Sequence, residues 1–568
     1  MKYIKYIKKF LVIFCCLFFT SLFSSNNTID LHQPSVISLE HSENFAKLII
    51  QDNGGRLKPV STLCSEFIRK IYGKDRINNQ SSVQVVLSMM HDPILWSDAE
   101  IIKVSNIELR KLLDIKDLSS KYIRTSFNEL YRDGNYLLAN YISTAYSKQA
   151  KDRTQFDKEV IKVDERVNLC FLIFSADVFR LFPVPGDQNE TWLAHSRQGE
   201  FEYKDSLFIT NIIPMYFMSI RSAIKDQNWT TSDTVVSYIK RYQMKYGENV
   251  YPSDYKIDLE IIYNKYNIFS RLFIYYSLCG VVLLVLLLIQ IFKKFNFLRL
   301  FIKFSNYLIY LGFIIHSIGL TIRWIISGHA PWSNGYESMI YIAWATILAG
   351  ILFSKRSSFT LAATSIASGL LLMVAHLNWL DPSITNLVPV LDSYWLMIHV
   401  AIITASYGFV LLGSVLGLLS LWLIVFANKN NKNRISIILS ELTFINEKTL
   451  QVGLFMLTTG TFLGGIWANE SWGRYWGWDP KETWALVSIL IYTFVLHMRF
   501  IPSLKGILIF NISAMFAIWT IIMTYFGVNY YLSGLHSYAA GDPMPIPVFV
   551  YYLFALMIIT SFLSIFNF

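Results

Sequence analysis

The feature that most constrains this chain is an abrupt change of composition near residue 270. From about Ser24 to Asn267 polar and apolar residues are mixed, with no run long enough to cross a bilayer; beyond it, apolar runs alternate with short polar loops as far as Phe568. A helix needs about 20 apolar residues to span a hydrocarbon layer ~30 Å thick, and in lipid the backbone must satisfy its own hydrogen bonds, which a helix does. The reading is an all-α polytopic membrane protein. About nine transmembrane helices are expected in the C-terminal part, near 270–292, 305–326, 337–353, 358–376, 395–426, 450–467, 483–500, 507–527 and 547–567, the fifth long enough to project from the bilayer. The basic stretch Met1–Lys9 followed by the apolar Phe10–Phe23 reads as a signal peptide or signal anchor. The expected domains are thus 1–23, a mostly helical extracytoplasmic domain over 24–267, and a membrane domain over 268–568.

Composition agrees: 53% of residues are hydrophobic, only 16% are charged, and the mean hydropathy is +0.39. The net charge of +10 raises the question of a nucleic-acid partner. In a multispanning chain, however, excess Lys and Arg marks loops that resist translocation, so nucleic acid is discounted. Lys2–Lys9, Lys293 to Lys303, Lys355 and Arg356, Lys429 to Arg434, and Arg499 and Lys505 fall on alternate sides of successive spans. All are assigned to the cytoplasm. The 24–267 domain, the His329 loop, the loop 377–394, the tryptophan-rich loop and the His536 loop then share the outer face. Of the five cysteines, none forms a Cys-x-x-Cys pair, which argues against a dithiol oxidoreductase or a zinc site; pairing of Cys64 with Cys170 stays open, burial as small apolar residues being the commoner outcome.

Chemistry concentrates in Trp467-Ala-Asn-Glu-Ser-Trp-Gly-Arg-Tyr-Trp-Gly-Trp-Asp-Pro-Lys-Glu-Thr-Trp484, which holds five tryptophans. An interfacial aromatic belt is the bland explanation, and Asp479-Pro480-Lys481-Glu482 reads as a helix start, with Asp as cap and Glu at the third position. Those readings leave Gly473, Arg474 and Gly477 unexplained among Trp472, Trp476 and Trp478. Glycines permit close backbone approach to a flat ligand, and an arginine offers a cation to a carboxylate. Six of the ten histidines lie in the membrane part. His399, one turn inside the outer end of its span, and His536, in an outer loop, share the face of the tryptophan loop; two neutral imidazoles suit axial ligation of a porphyrin iron. His497 is read as lying roughly 20 Å into the membrane, taking ~1.5 Å per residue, where an ionisable residue is a functional candidate. His316, midway along its span, is a geometrically possible partner.

These motifs resemble the WWD signature of heme-handling proteins. The stretches Leu320-Thr-Ile-Arg-Trp324, Ser327-Gly-His-Ala-Pro-Trp-Ser-Asn-Gly-Tyr-Glu-Ser338, Leu387 to Val400, Trp467-Ala-Asn-Glu470 and Phe526 to Tyr538 look like those of the CcsA family of System II cytochrome c assembly. Gly335 and Asp392 depart from the usual leucine and glutamine. The resemblance implies that 268–568 is a CcsA-like heme-handling domain with its WWD loop at 467–484, and that His399 and His536 ligate heme b, carried as substrate, beside Trp472, Gly473, Arg474, Trp476, Gly477, Trp478 and Asp479. It also implies that His497 is a transmembrane heme ligand whose partner belongs to a CcsB-like subunit. Apocytochrome c is the implied acceptor, a bacterial cytoplasmic membrane the location, and a heme lyase the assembly of which this chain is a subunit. No residue reads as a dedicated acid-base catalyst. The alternative is a heme exporter or relay without ligation activity, of the CcmC type.

Overall fold

The computed structural model describes residues 37–568 except 116–122, 150–151, 293–294, 377–379, 388, 429–430, 533 and 535–545. The chain divides into two compact units between Asp258 and Leu259.

The first unit is mainly helical. Its principal helices are α1 (Leu39–Ala46), α2 (Val60–Tyr72), α3 (Ser82–His91), α4 (Gln155–Phe174), α5 (Tyr203–Asp226) and α6 (Thr230–Tyr246), and among the described residues five two-stranded antiparallel pairs lie between them. The motif Gln51-Asp-Asn-Gly-Gly-Arg56 closes one pair: Asp52 Oδ1 accepts from the Gly54 and Arg56 amides at 2.9 and 3.0 Å, and the buried Lys58 beyond it pairs with Glu66 at 2.6 Å. Helix α5 is a surprise, because 24–267 reads as lacking a run able to span. By length and composition α5 qualifies, its pattern masked in the sequence by Thr210, Asn211 and Pro214; its Ile209, Ile212, Tyr216 and Ile220 lie in the unit's core. Cys64 and Cys170 are buried free thiols. Burial pushes the Cys170 thiol up to about 12 and Cys64 higher still, so neither supplies thiolate at neutral pH.

Among the described residues, the second unit contains nine helices long and apolar enough to cross a membrane: α7 (Ile268–Phe292), α8 (Leu298–Ser327), α9 (Gly335–Phe353), α10 (Ser358–His376), α11 (Tyr394–Val425), α12 (Lys432–Trp472), α13 (Pro480–His497), α14 (Ile507–Ile522, extended through one π-helical turn to Tyr531) and α15 (Val548–Asn567). The protein is an all-α polytopic membrane protein. Because successive helices reverse direction, the C-terminal ends of α8, α10, α12 and α14 lie at one end of the bundle, the tryptophan end. Lysines and arginines collect at the other, the basic end. The sequence places the sixth span at 450–467, whereas α12 has 41 residues, roughly 60 Å at ~1.5 Å per residue. Glu441, Glu447 and Lys448 interrupt hydropathy there but not the helix, whose Ile435, Leu439, Leu442 and Ile445 form a buried stripe at helical spacing.

Candidate functional site

The tryptophan loop is held at both ends by its own backbone chemistry. Helix α12 stops at Trp472 because Gly473 turns into the left-handed region, φ +69°, and its amide donates to Asn469 O at 2.9 Å. Helix α13 starts with the expected capping box between Asp479 and Glu482. Glu482 does more than cap. Its Oε2 accepts from the amides of both Gly477 (2.7 Å) and Asp479 (3.2 Å), and Trp478, caught between those two N–H groups, adopts φ +57°. A bulky side chain rarely takes that conformation. The carboxylate thus holds a strained turn that turns the Trp478 indole outward, 71% exposed, with Trp476 edge-on at 5.9 Å. The room opened by Gly477 is filled from within the loop: a Cβ there would fall 0.9 Å from Arg474 Nη1.

His399, in the second turn of α11, lies against the last turns of α12. Its Nδ1 donates to Gly460 O at 2.7 Å. Since a carbonyl only accepts, this bond puts a proton on Nδ1, and in the neutral ring it leaves the lone pair on Nε2. The ring runs parallel to the buried Trp467 indole, 8° between planes and 6.5 Å between centroids, and Trp467 meets Trp472 edge-on at 4.8 Å. His399 therefore opens a continuous aromatic series that leads to the loop. Neighbouring loops are tied in: Trp332 Nε1 donates to Met397 O at 3.2 Å, Ser393 Oγ to Glu470 at 2.5 Å, and Lys481 Nζ to Asn529 Oδ1 at 3.0 Å. His536 lies outside the described residues. Gly534 packs so closely on the start of α13 that a Cβ would sit 2.2 Å from Asp479 Oδ2. The donor set offers a metal an imidazole Nε2 and offers a flat apolar ligand indole faces and edges.

Residues 332–536, from Trp332 to His536, match the family model described as cytochrome c assembly protein. The chain is 34% identical over 271 residues to the cytochrome c biogenesis protein CcsA of Guillardia theta, covering 88% of that protein and 42% of this chain, and 35% identical over 255 residues to CcsA of Prochlorococcus marinus, covering 80% of it and 40% of this chain. This chain belongs to the CcsA family of cytochrome c biogenesis proteins. It is also 38% identical over 516 residues to the protein NrfI of Wolinella succinogenes, over 89% of this chain but only 56% of NrfI. The chain thus spans a little over half of that relative's length, and the likeness takes in most of the first unit as well. The CcsA-family assignment gives the protein a role in cytochrome c maturation.

Within this CcsA-family fold the motifs around Arg323 and Tyr336-Glu337-Ser338 have a structural role that sequence reading missed. Arg323, near the end of α8, pairs with Glu337, in the first turn of α9, at 2.8 Å, both side chains fully buried. Arg323 also donates to Pro382 O (2.9 Å), Ser383 O (3.2 Å) and the Tyr263 hydroxyl (3.2 Å), while Glu337 accepts from the amide and hydroxyl of Ser333. One ion pair thereby gathers the loops after α8 and α10. The detectable signal is a charge of each sign inside otherwise apolar segments.

His497 is placed elsewhere. It is the last residue of α13, at the basic end and on the outside of the bundle, with Nδ1 donating to Thr493 O at 2.7 Å. Leu490, Ile491, Phe494 and Phe500 are exposed around it. His316 is fully buried, its Nε2 donating to Ile340 O at 3.1 Å and its ring packed against Phe269 and Tyr276. The two imidazoles occupy different surroundings, one interior and one external, and do not form the internal pair considered from sequence.

Proposed function

We propose that this protein carries heme b to the outer face of a bacterial cytoplasmic membrane and presents it there for covalent attachment to apocytochrome c, as a subunit of a System II synthetase. The observation that carries this reading is His399: its Nδ1 proton is committed to Gly460, its Nε2 holds the lone pair, and its ring stands at the head of the tryptophan series. A neutral imidazole with that tautomer is an iron ligand, and the hydrogen bond on its far side raises its basicity. His536 is the proposed second axial ligand, and Trp472, Trp476 and Trp478 the apolar walls. The chain's own task is to bind, orient and exclude water, which is positioning in place of acid-base catalysis. In the attachment, each thiol of the acceptor's Cys-x-x-Cys-His adds its S and H across one heme vinyl C=C; no oxidant is consumed, and the thiols must be reduced.

Orientation follows from the lysines and arginines at the basic end, which belong on the cytoplasmic side, leaving the tryptophan end outside. His497, on an exposed apolar face at the basic end, supports an entry point completed by a CcsB-like membrane subunit. The test is the absorption spectrum of purified protein carrying His399→Ala, His536→Ala or His497→Ala: each is expected to lower heme content or alter the iron spectrum, and three unchanged spectra would remove the site. Co-expression with a CcsB-like subunit and an apocytochrome, in a host lacking other maturation systems, separates the two activities. Covalent heme on the cytochrome supports the synthetase; released or relayed heme without thioether bonds supports an exporter.

A further inference from the structure

We infer that Gly460 and Gly464 of α12 are positioning residues that fix the tautomer of His399 and admit its ring to the face of α12, an inference resting on the heme reading above. Helix α12 carries glycine at 460, 464 and 465 within its last four turns, where glycine weakens a helix. Close approach explains the first two. At Gly464 an added Cβ would lie 2.6 Å from His399 Cε1, 2.8 Å from Nδ1 and 3.2 Å from Nε2. The imidazole occupies the volume that any other residue would fill. At Gly460 a Cβ would lie 2.9 Å from the Cβ of Ile403, one turn beyond His399 on α11. That glycine sets the helix separation at the level where its own carbonyl accepts the Nδ1 proton. With Trp467 parallel to the ring on α12, the slot constrains the imidazole by a hydrogen bond, by backbone contact and by an aromatic neighbour. Each acts on a different degree of freedom: the bond selects the tautomer, the glycine face allows the ring to enter, and the indole sets its plane.

The inference separates positioning from general helix packing. Gly453, two turns earlier, packs as tightly on the same partner helix, with a Cβ 2.7 Å from Val410 Cγ1, but is not on His399. The experiment compares Gly464→Ala with Gly453→Ala in the full-length protein by two readouts. In heme-loaded protein, Gly464→Ala is expected to reduce heme occupancy about tenfold, the usual scale for loss of a residue that orients a ligand, with a shift toward the spectrum of His399→Ala; Gly453→Ala is expected to stay near the parent. In heme-free protein with ¹⁵N-labelled histidine, the His399 resonance is expected to show an Nδ1-protonated ring in the parent and in Gly453→Ala, and to lose that signature in Gly464→Ala. Equal heme loss in both variants, or an unchanged tautomer and spectrum in Gly464→Ala, overturns the inference. Should Gly464→Ala fail to accumulate, a parent His399 protonated on Nε2 overturns it alone. If His399→Ala leaves heme unaffected, it is the heme reading that fails, while the heme-free measurement still decides whether the glycines hold the ring.

Discussion

The two ends of the helix bundle solve the problem of polar groups beside a membrane in opposite ways. At the tryptophan end they are desolvated and locked: Arg323 and Glu337 are fully buried and hydrogen-bonded to the loops after α8 and α10, and Glu482 ties two amides at once. At the basic end the charged groups lie nearer the surface. Arg499 pairs with Glu447, the arginine about half exposed, and Arg356 lies over the Phe444 ring at 4.7 Å. Fixed groups with few alternatives have their geometry prepared in advance, as the proposed heme site requires; on the same proposal, dispersed surface cations set orientation and leave a face for a partner. The difference teaches that charge count alone says little about where the chemistry is.

The comparison breaks most sharply at its two ion pairs. Arg323→Ala strands a buried carboxylate, an expected loss of about 3–5 kcal/mol, visible in thermal unfolding of the purified protein and in protease sensitivity of the loops after α8 and α10. The Arg323→Leu, Glu337→Leu double variant should recover most of that loss, and a double variant as unstable as the single would show that the pair itself, not the stranded charge, matters. Glu482→Ala removes the capping box and the anchor of the strained turn, costing about 1–2 kcal/mol. Fluorine-labelled tryptophan should then show the Trp478 resonance shift toward that of a mobile indole, and an unmoved resonance would mean that Glu482 does not hold it. Gly473→Ala forces a Cβ into the left-handed region at a cost of about 1–2 kcal/mol, read in the same unfolding assay. At the basic end, Glu447→Ala should change stability by less than about 1 kcal/mol, and by less still in high salt. A loss as large as that of Arg323→Ala would erase the distinction between the ends.

Much of this was legible in the sequence, for physical reasons that differ by residue. The centres of the nine spans show as apolar runs, because lipid imposes composition directly. Their ends do not. The first five turns of α12 are hidden behind Glu441, Glu447 and Lys448, none of which is buried, so the helix tolerates them there. Asp479 and Glu482 announce a capping box by spacing, but the second bond from Gly477, which strains Trp478, depends on how the loop closes. His399 is visible as a histidine near a span's end; its tautomer is not, since that is set by a carbonyl 61 positions away on another helix. Arg323 and Glu337, 14 positions apart across a turn, carry no helical spacing that would betray them as partners. His497 is apparent as an ionisable residue in a span, yet only the packing reveals that it faces away from the bundle.

The Arg323–Glu337 pair also bears on how the protein is made. An isolated guanidinium or carboxylate is expensive in hydrocarbon, and here each neutralises the other across adjacent helices joined by the short segment Gly328–Asn334. The expectation is that α8 and α9 leave the insertion machinery as one hairpin, with the charges already matched. Chains truncated after Ser327 and after Phe353, scored for stable membrane integration, test the point: integration of the shorter chain as efficient as that of the longer would show that no such coupling exists. The pair would then be a checkpoint in biogenesis as well as a clasp in the finished molecule, with the order of synthesis written into the distance between two residues.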